Sequence, residues 1–151
     1  EWGDASTANL QWSLMPERQE YGGLSPVVKT IITEAAGEGP NGMRRVAKVI
    51  LSRQQHPRWR GLTSDQIVQQ RAQFSGWERP DREQFIARQP PQVIQHAQQA
   101  LVDAQQEMQV GGYYGDHYLT NDLYNSPRRP GWANKMRVVE RHGRHTFLRE
   151  R

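Results

Sequence analysis

Residues 33–39 read Thr-Glu-Ala-Ala-Gly-Glu-Gly and place two carboxylates, Glu34 and Glu38, on either side of Gly37. Glu34 falls near the end of an apolar helical run. There the negative end of the helix dipole and partial burial both disfavour an ionised carboxyl. A carboxyl that keeps its proton near neutral pH can serve as a general acid. The competing reading is a solvated residue on the polar side of an amphipathic helix. Glu38 is expected to cap backbone N–H groups of the next helix, which starts near Pro40; a second functional carboxylate is its alternative. His142 and His145 flank a glycine and an arginine and invite a metal reading. A zinc site wants three or four converging ligands, and no third is near in sequence, so no metal is assigned.

The elements that must position these groups are helical. Ser25 and Pro26 open a helix, Ser25 as N-cap and Pro26 at the first position, where a missing N–H costs nothing. Val27, Val28, Ile31, Ile32 and Ala35 recur at helical spacing, and Gly37 and Gly39 end that helix. A second helix starts near Pro40, carries Met43, Val46, Ala47, Ile50 and Leu51 on one side, and stops at His56 and Pro57. Thr63 and Gln66 fit a capping box, and Asp81 is expected to cap another short helix. The strongest periodicity runs from about residue 91 to 110, with Gly111 and Gly112 closing it. Residues 111–131 read as a long loop, 132–142 as a last helix and 145–148 as a short extended piece. No run alternates long enough to demand a sheet, so the class is mainly α.

The chain has 151 residues, enough for one domain with one sizeable core. Hydrophobic residues are 35% and charged residues 24%, which excludes both a membrane-embedded chain and a charged disordered tail. It has no cysteine, so disulfide scaffolds, thiolate metal sites and cysteine nucleophiles are excluded. A net charge of +4 fits an anionic partner. Residues 1–23 show no period and are expected to form an arm, with 24–151 as the folded domain. Glu1, Trp2, Gly3 and Asp4 lack the basic and apolar runs of a secretion leader.

Residues 33–42, TEAAGEGPNG, resemble the glutamate signature of the SleB-type cell-wall hydrolases, which include spore cortex-lytic enzymes and related bacterial and phage proteins. Residues 45–53, RVAKVILSR, are similar to that family's next helix, with Ser52 where the family has Asn. Gln73, Phe74 and Ser75 look like its Gln/Ala-Phe-Ser element. His117, Tyr118 and Asn121 look like its aromatic motif. Trp132 and Ala133, followed by Gly143, His145 and Phe147, look like its closing motif. The ordered set spans about residues 27–147.

The resemblance implies a lysozyme-like, mainly α fold and cleavage of the β-1,4 bond between N-acetylmuramic acid and N-acetylglucosamine. It implies a lytic transglycosylase, with Glu34 as the single acid and base and with no cofactor. It also implies that Tyr118 lines the cleft. Gln73, Phe74, Trp77 and Asn121 are the further candidates for holding the glycan; packing in the core competes as a reading of Phe74. Glu38 and His145 are read as structural supports. Tyr113, Tyr114 and Trp132 are open between groove and core. Simple hydrolysis by a muramidase needs a carboxylate pair, and Asp116 or Asp122 could supply the second member. Peptidoglycan is thus the expected partner, other virion proteins are further ones, and the expected place of action is the bacterial envelope. Small size and basicity point to a phage or virion-associated lysin. Two non-catalytic readings compete: a basic nucleic-acid-binding domain, and a silent wall-binding or virion domain. The dispersed acidic residues and the lack of a recognition helix weigh against nucleic acid.

Overall fold

The computed structural model describes residues 23–151, so the expected arm lies outside the described residues except for Gly23. Helix α1 (Pro26–Ala35) begins as the sequence dictates: the Ser25 hydroxyl accepts from Val28 N at 3.2 Å. A second orphan N–H, that of Val27, donates to Asp65 Oδ1 at 3.3 Å, so a distant residue completes the cap. A 3-10 turn (Ala36–Glu38) leads into α2 (Gly39–Gln55). Gly39 at the junction has φ +77°, a conformation that costs glycine little. His56 adopts an extended backbone before Pro57 and ends α2.

A 3-10 turn (Pro57–Trp59) precedes α3 (Ser64–Val68), α4 (Ser75–Glu78), α5 (Arg82–Ala87) and the long α6 (Pro91–Gly111). Both halves of the Thr63–Gln66 capping box are formed. Asp81 does not cap α5. Its carboxylate turns instead to the guanidinium of Arg79, 2.6 Å away, and lies 3.6 Å from that of Arg88.

The helices share one core. Val27, Ile31 and Ile32 of α1 meet Val46, Ala47 and Ile50 of α2 and Ile94, Ala97 and Ala104 of α6, with Ile67 and Ile86 filling in from short helices and Phe74 from the residue before α4. Helix α2 packs mainly along α6 and α1. Each buried Ile or Val stabilises the fold by roughly 1.5–3 kcal/mol.

The C-terminal third departs from expectation. Residues 111–131 are not all loop: they contain strand β1 (His117–Thr120) and helix α7 (Asn121–Tyr124). The expected helix over 132–142 is a short α8 (Gly131–Asn134) followed by strand β2 (Met136–His142). With β3 (His145–Glu150) these make an antiparallel sheet in the order β1-β3-β2, where no sheet was expected. Gly143, with φ +58°, takes the first position of the two-residue turn between β2 and β3, where hairpins want glycine. A bulge at Val139 interrupts the β2–β3 register. Leu119, Ala133 and Leu148 form a small second core beneath α7 and α8. The chain is mainly helical with a small sheet.

Candidate active site

Glu34 sits on the last turn of α1, half-buried, where the helix bundle meets the sheet. The hydroxyl of Tyr118, on β1, donates to Oε1 in a short hydrogen bond. The backbone N–H of Gly76, in α4, donates to Oε2 at 2.6 Å, and Ser75 Oγ approaches the same oxygen at 3.4 Å. Two elements distant from α1, strand β1 and helix α4, therefore fix the direction of one carboxyl. Gly76 makes this approach possible, because a Cβ there would stand 2.3 Å from Thr33 Oγ1 and 2.7 Å from Glu34 Oε2. The residue pattern singled out Gln73, Phe74 and Ser75 but missed Gly76. The available signal was a glycine directly after a serine at the start of a short helix.

Tyr118 is locked from several sides. Its ring lies edge-on to His145, at 5.4 Å and 84°, and 5.6 Å from Phe147, its register partner on β3. Burial, then the charge and hydrogen bond of Glu34, hold its phenol well above the ordinary range, so the hydroxyl remains a donor. His145 is held below its ordinary 6.5 by burial, against the opposing pull of the Glu38 carboxylate.

Glu38 does not cap α2; no N–H of that helix reaches its side chain. Its carboxylate faces the β2–β3 turn, 2.9 Å from Arg144 Nη2 and 3.7 Å from His145 Nδ1. The charges of the turn, 106 residues away, outcompete a local cap. Two glycines make room. A Cβ at Gly42 would overlap that of Glu38 at 2.4 Å, and one at Gly143 would meet Glu38 Oε1 at 3.0 Å. Glu38 thus ties the hairpin, and with it His145, to the end of the helix pair that carries Glu34.

The other candidates scatter. Phe74 is 2% exposed and belongs to the core, with the Arg53 guanidinium 4.7 Å from its ring centroid. It is not open to a ligand. Gln73 accepts from Arg53 Nη1 at 3.1 Å and lines a recess of about 400 Å³ with Arg58, Trp59, Gln70 and Arg71. Trp77 is half-buried against the core, with the Arg82 guanidinium 3.8 Å over its ring. Asn121 uses both ends of its amide inside the fold: it donates to Gly143 O at 3.0 Å and accepts from Thr146 Oγ1 at 2.7 Å. Its place is at the hairpin.

Asp116 is fully buried and cannot serve as a second reactive carboxylate. It accepts from the Tyr113 hydroxyl, from His117 Nδ1 at 2.9 Å and from Glu150 N at 3.1 Å. Burial works to raise its pKa, but the His117 and Tyr113 bonds outweigh burial and hold it below the ordinary value. Asp122 is exposed on α7. Tyr114 bonds Glu140 Oε1 at 2.7 Å, Tyr113 bonds Asp116, and Trp132 is 41% exposed. Ser52, where the resembled family has Asn, is buried and accepts from Tyr114 N at 3.0 Å and Gly115 N at 3.3 Å, which anchors the approach to β1. Among the described residues no group of three His, Asp or Glu side chains is placed to hold a metal ion.

A carboxyl aimed by an O–H and an N–H from separate elements, at a boundary between a helix bundle and a small sheet, is a constellation suited to proton transfer. The Cell Wall Hydrolase family model matches residues 37–148, and the chain belongs to that family, the SleB-type one it resembles. The matched span starts just after Glu34 and takes in Gly76, Tyr118 and His145. Comparisons with curated proteins and with solved structures gave no match.

Proposed function

We propose that this chain cleaves the N-acetylmuramic acid–N-acetylglucosamine β-1,4 bond of peptidoglycan as a lytic transglycosylase, with Glu34 as both acid and base. The observation that carries this reading is the fixed, half-buried Glu34 carboxyl, with Asp116 buried and Glu38 already paired to Arg144. An ordinary glycosidase would need a second carboxylate within several ångströms of the first.

The steps balance without water. Glu34 gives its proton to the glycosidic oxygen. The bond from that oxygen to C1 of the muramic acid breaks, and its electron pair leaves with the oxygen. The Glu34 carboxylate then takes the proton of the same sugar's C6 hydroxyl while O6 bonds to C1. The result is a 1,6-anhydro end and a regenerated acid. The Tyr118 hydroxyl and Gly76 N–H hold the carboxyl in one orientation through both transfers, so no solvent reorganisation is needed at the reacting group. The place of action in this reading is the bacterial envelope, and the source a phage or virion-associated lysin.

Digestion of purified sacculi in heavy-oxygen water, read by mass spectrometry, tests the reading. Anhydromuramic ends without solvent oxygen are expected. Reducing muramic ends carrying solvent oxygen would replace it with hydrolysis, and intact sacculi would remove it.

A further inference from the structure

The charge of this chain is unevenly placed. Residues 123–151 hold eight Lys and Arg against two Glu, while residues 1–122 hold twelve against fourteen Asp and Glu. Pairing sharpens the contrast. In the helical part Lys29, Arg44, Arg45, Lys48, Arg79 and Arg82 each meet a carboxylate. Among the described residues no carboxylate pairs with Arg128, Arg129, Lys135, Arg137 or Arg141. The two Glu of the region are spent elsewhere, Glu140 on Arg45 and Glu150 on His56 and Arg58.

Two of these cations share one ring. Arg129 lies 4.0 Å and Arg141 5.5 Å from the centroid of Tyr124. Arg137 stands directly across from Arg149 in the β2–β3 register, a like-charge pairing that costs stability. The same stretch also exposes apolar side chains: Trp132 at 41%, Val138 at 38% and Val139 at 36%. Only Val110, among the described residues, is a further exposed large apolar side chain. Val138 pairs with Leu148 and Arg141 with Thr146, so both lie on the sheet face that carries the small second core.

Guanidinium groups without a carboxylate partner favour phosphate; of these, Arg129 is also held by Tyr124 O and Asn134 Oδ1, which leaves Arg128 and Arg141 the freer ones. Exposed Trp and Val beside them favour an apolar layer directly under that phosphate. A soluble polyanion would answer the charge and leave the valines in water. We infer that residues 128–141 form a peripheral docking surface for an anionic phospholipid membrane, with the cations on the headgroups and Trp132 and Val138 in the interface. No helix among the described residues is long and apolar enough to cross a membrane, so the contact is a surface one. This inference is independent of the chemistry at Glu34, because its test reads binding alone.

The full chain is floated with phosphatidylcholine vesicles, with or without phosphatidylglycerol, and titrated separately with duplex DNA. Binding to the phosphatidylglycerol vesicles alone is expected, and it should weaken as salt rises. Arg128→Gln with Arg141→Gln should weaken vesicle binding about 25-fold, at about fivefold per cation. Trp132→Ser with Val138→Ser should weaken it about tenfold or more and leave any DNA binding unchanged. If either pair lowers the melting temperature, Lys135→Gln, exposed and outside the cores, reads the same charge effect at about fivefold. Equal binding to neutral vesicles, or none to anionic ones at low salt, overturns the inference. So does vesicle binding that ignores Trp132 and Val138 and tracks DNA binding, which would mark a plain polyanion surface.

Discussion

The backbone N–H of Gly76 donates to Glu34 Oε2 across 2.6 Å, and only glycine fits at that approach. A main-chain donor has no side-chain torsions to relax. It therefore orients the carboxyl more rigidly than a side chain from the same helix would. With Tyr118 on the other oxygen, Glu34 is aimed by two strangers in sequence, one 42 and one 84 residues away.

Gly76→Ala should show what that aim is worth. The new methyl group meets Thr33 Oγ1 and Glu34 Oε2 inside contact distance. The expected stability cost is about 1–3 kcal/mol, as for other overpacked sites. Sacculus clearance should fall by a larger factor than the melting temperature explains. Clearance at the wild-type rate would show that the orientation is irrelevant.

Glu34→Gln keeps the size of the side chain and its acceptor for Gly76, and removes the titratable proton. The variant should fold normally and lose about 10²–10⁴-fold in clearance rate. Circular dichroism melts beside turbidity assays separate the two effects. A variant that clears sacculi normally would take Glu34 out of the chemistry.

Tyr118→Phe keeps the ring between His145 and Phe147 and deletes the hydroxyl on Glu34 Oε1. A hydrogen bond to a charged group contributes about 1.5–3 kcal/mol. The expected loss is therefore about 10- to 100-fold in kcat, with KM little changed if the ring alone touches glycan. A rise in KM at constant kcat would instead make Tyr118 a binding residue.

Acid should unfold this protein in two stages. The Arg45 guanidinium, foremost, with the Tyr114 hydroxyl, holds Glu140 down from an ordinary 4.5 to about 2. A depressed carboxyl stabilises the fold above its unfolded pKa, and that contribution is lost as pH falls from about 4.5 toward 2. His145, held neutral by burial, adds an earlier loss that begins below its ordinary 6.5, because the unfolded chain takes up the proton first. Glu140→Gln should shrink the lower stage, to which the depressed Asp116 also contributes, and leave the upper. Urea melts from pH 7 to 2.5 should show wild type and variant converging at the acid end. A difference that stays constant with pH would exclude the Arg45–Glu140 pair as its source.

The helices were legible because their signals are local. Ser25 before Pro26, the Thr63–Gln66 box and the spacing of residues 91–110 each act within a turn or two. Glu34 was legible for the same reason, as a carboxyl at the end of an apolar helix. The sheet was not. Strand β3 is central and covered on both faces, so Thr146, Phe147 and Leu148 are all buried and no alternation appears. In β2 the bulge at Val139 breaks the period of two, so Val138 and Val139 are both exposed and no alternation appears. Glu38 was misread as a cap because its guanidinium partner, Arg144, lies 106 residues away, and Asp81 because the nearby Arg79 takes its carboxylate away from the helix N–H groups. Gly76 was missed because a backbone N–H has no sequence identity.

Strand β3 closes the sheet from the middle although it is built after both of its neighbours. During synthesis β1 and β2 emerge with nothing between them, and Tyr118 has no strand to hold it against Glu34. Only when residues 145–150 leave the ribosome do the two edges find a common partner. The nascent chain is therefore without its aimed carboxyl until residues 145–150 are free to pair with both edges.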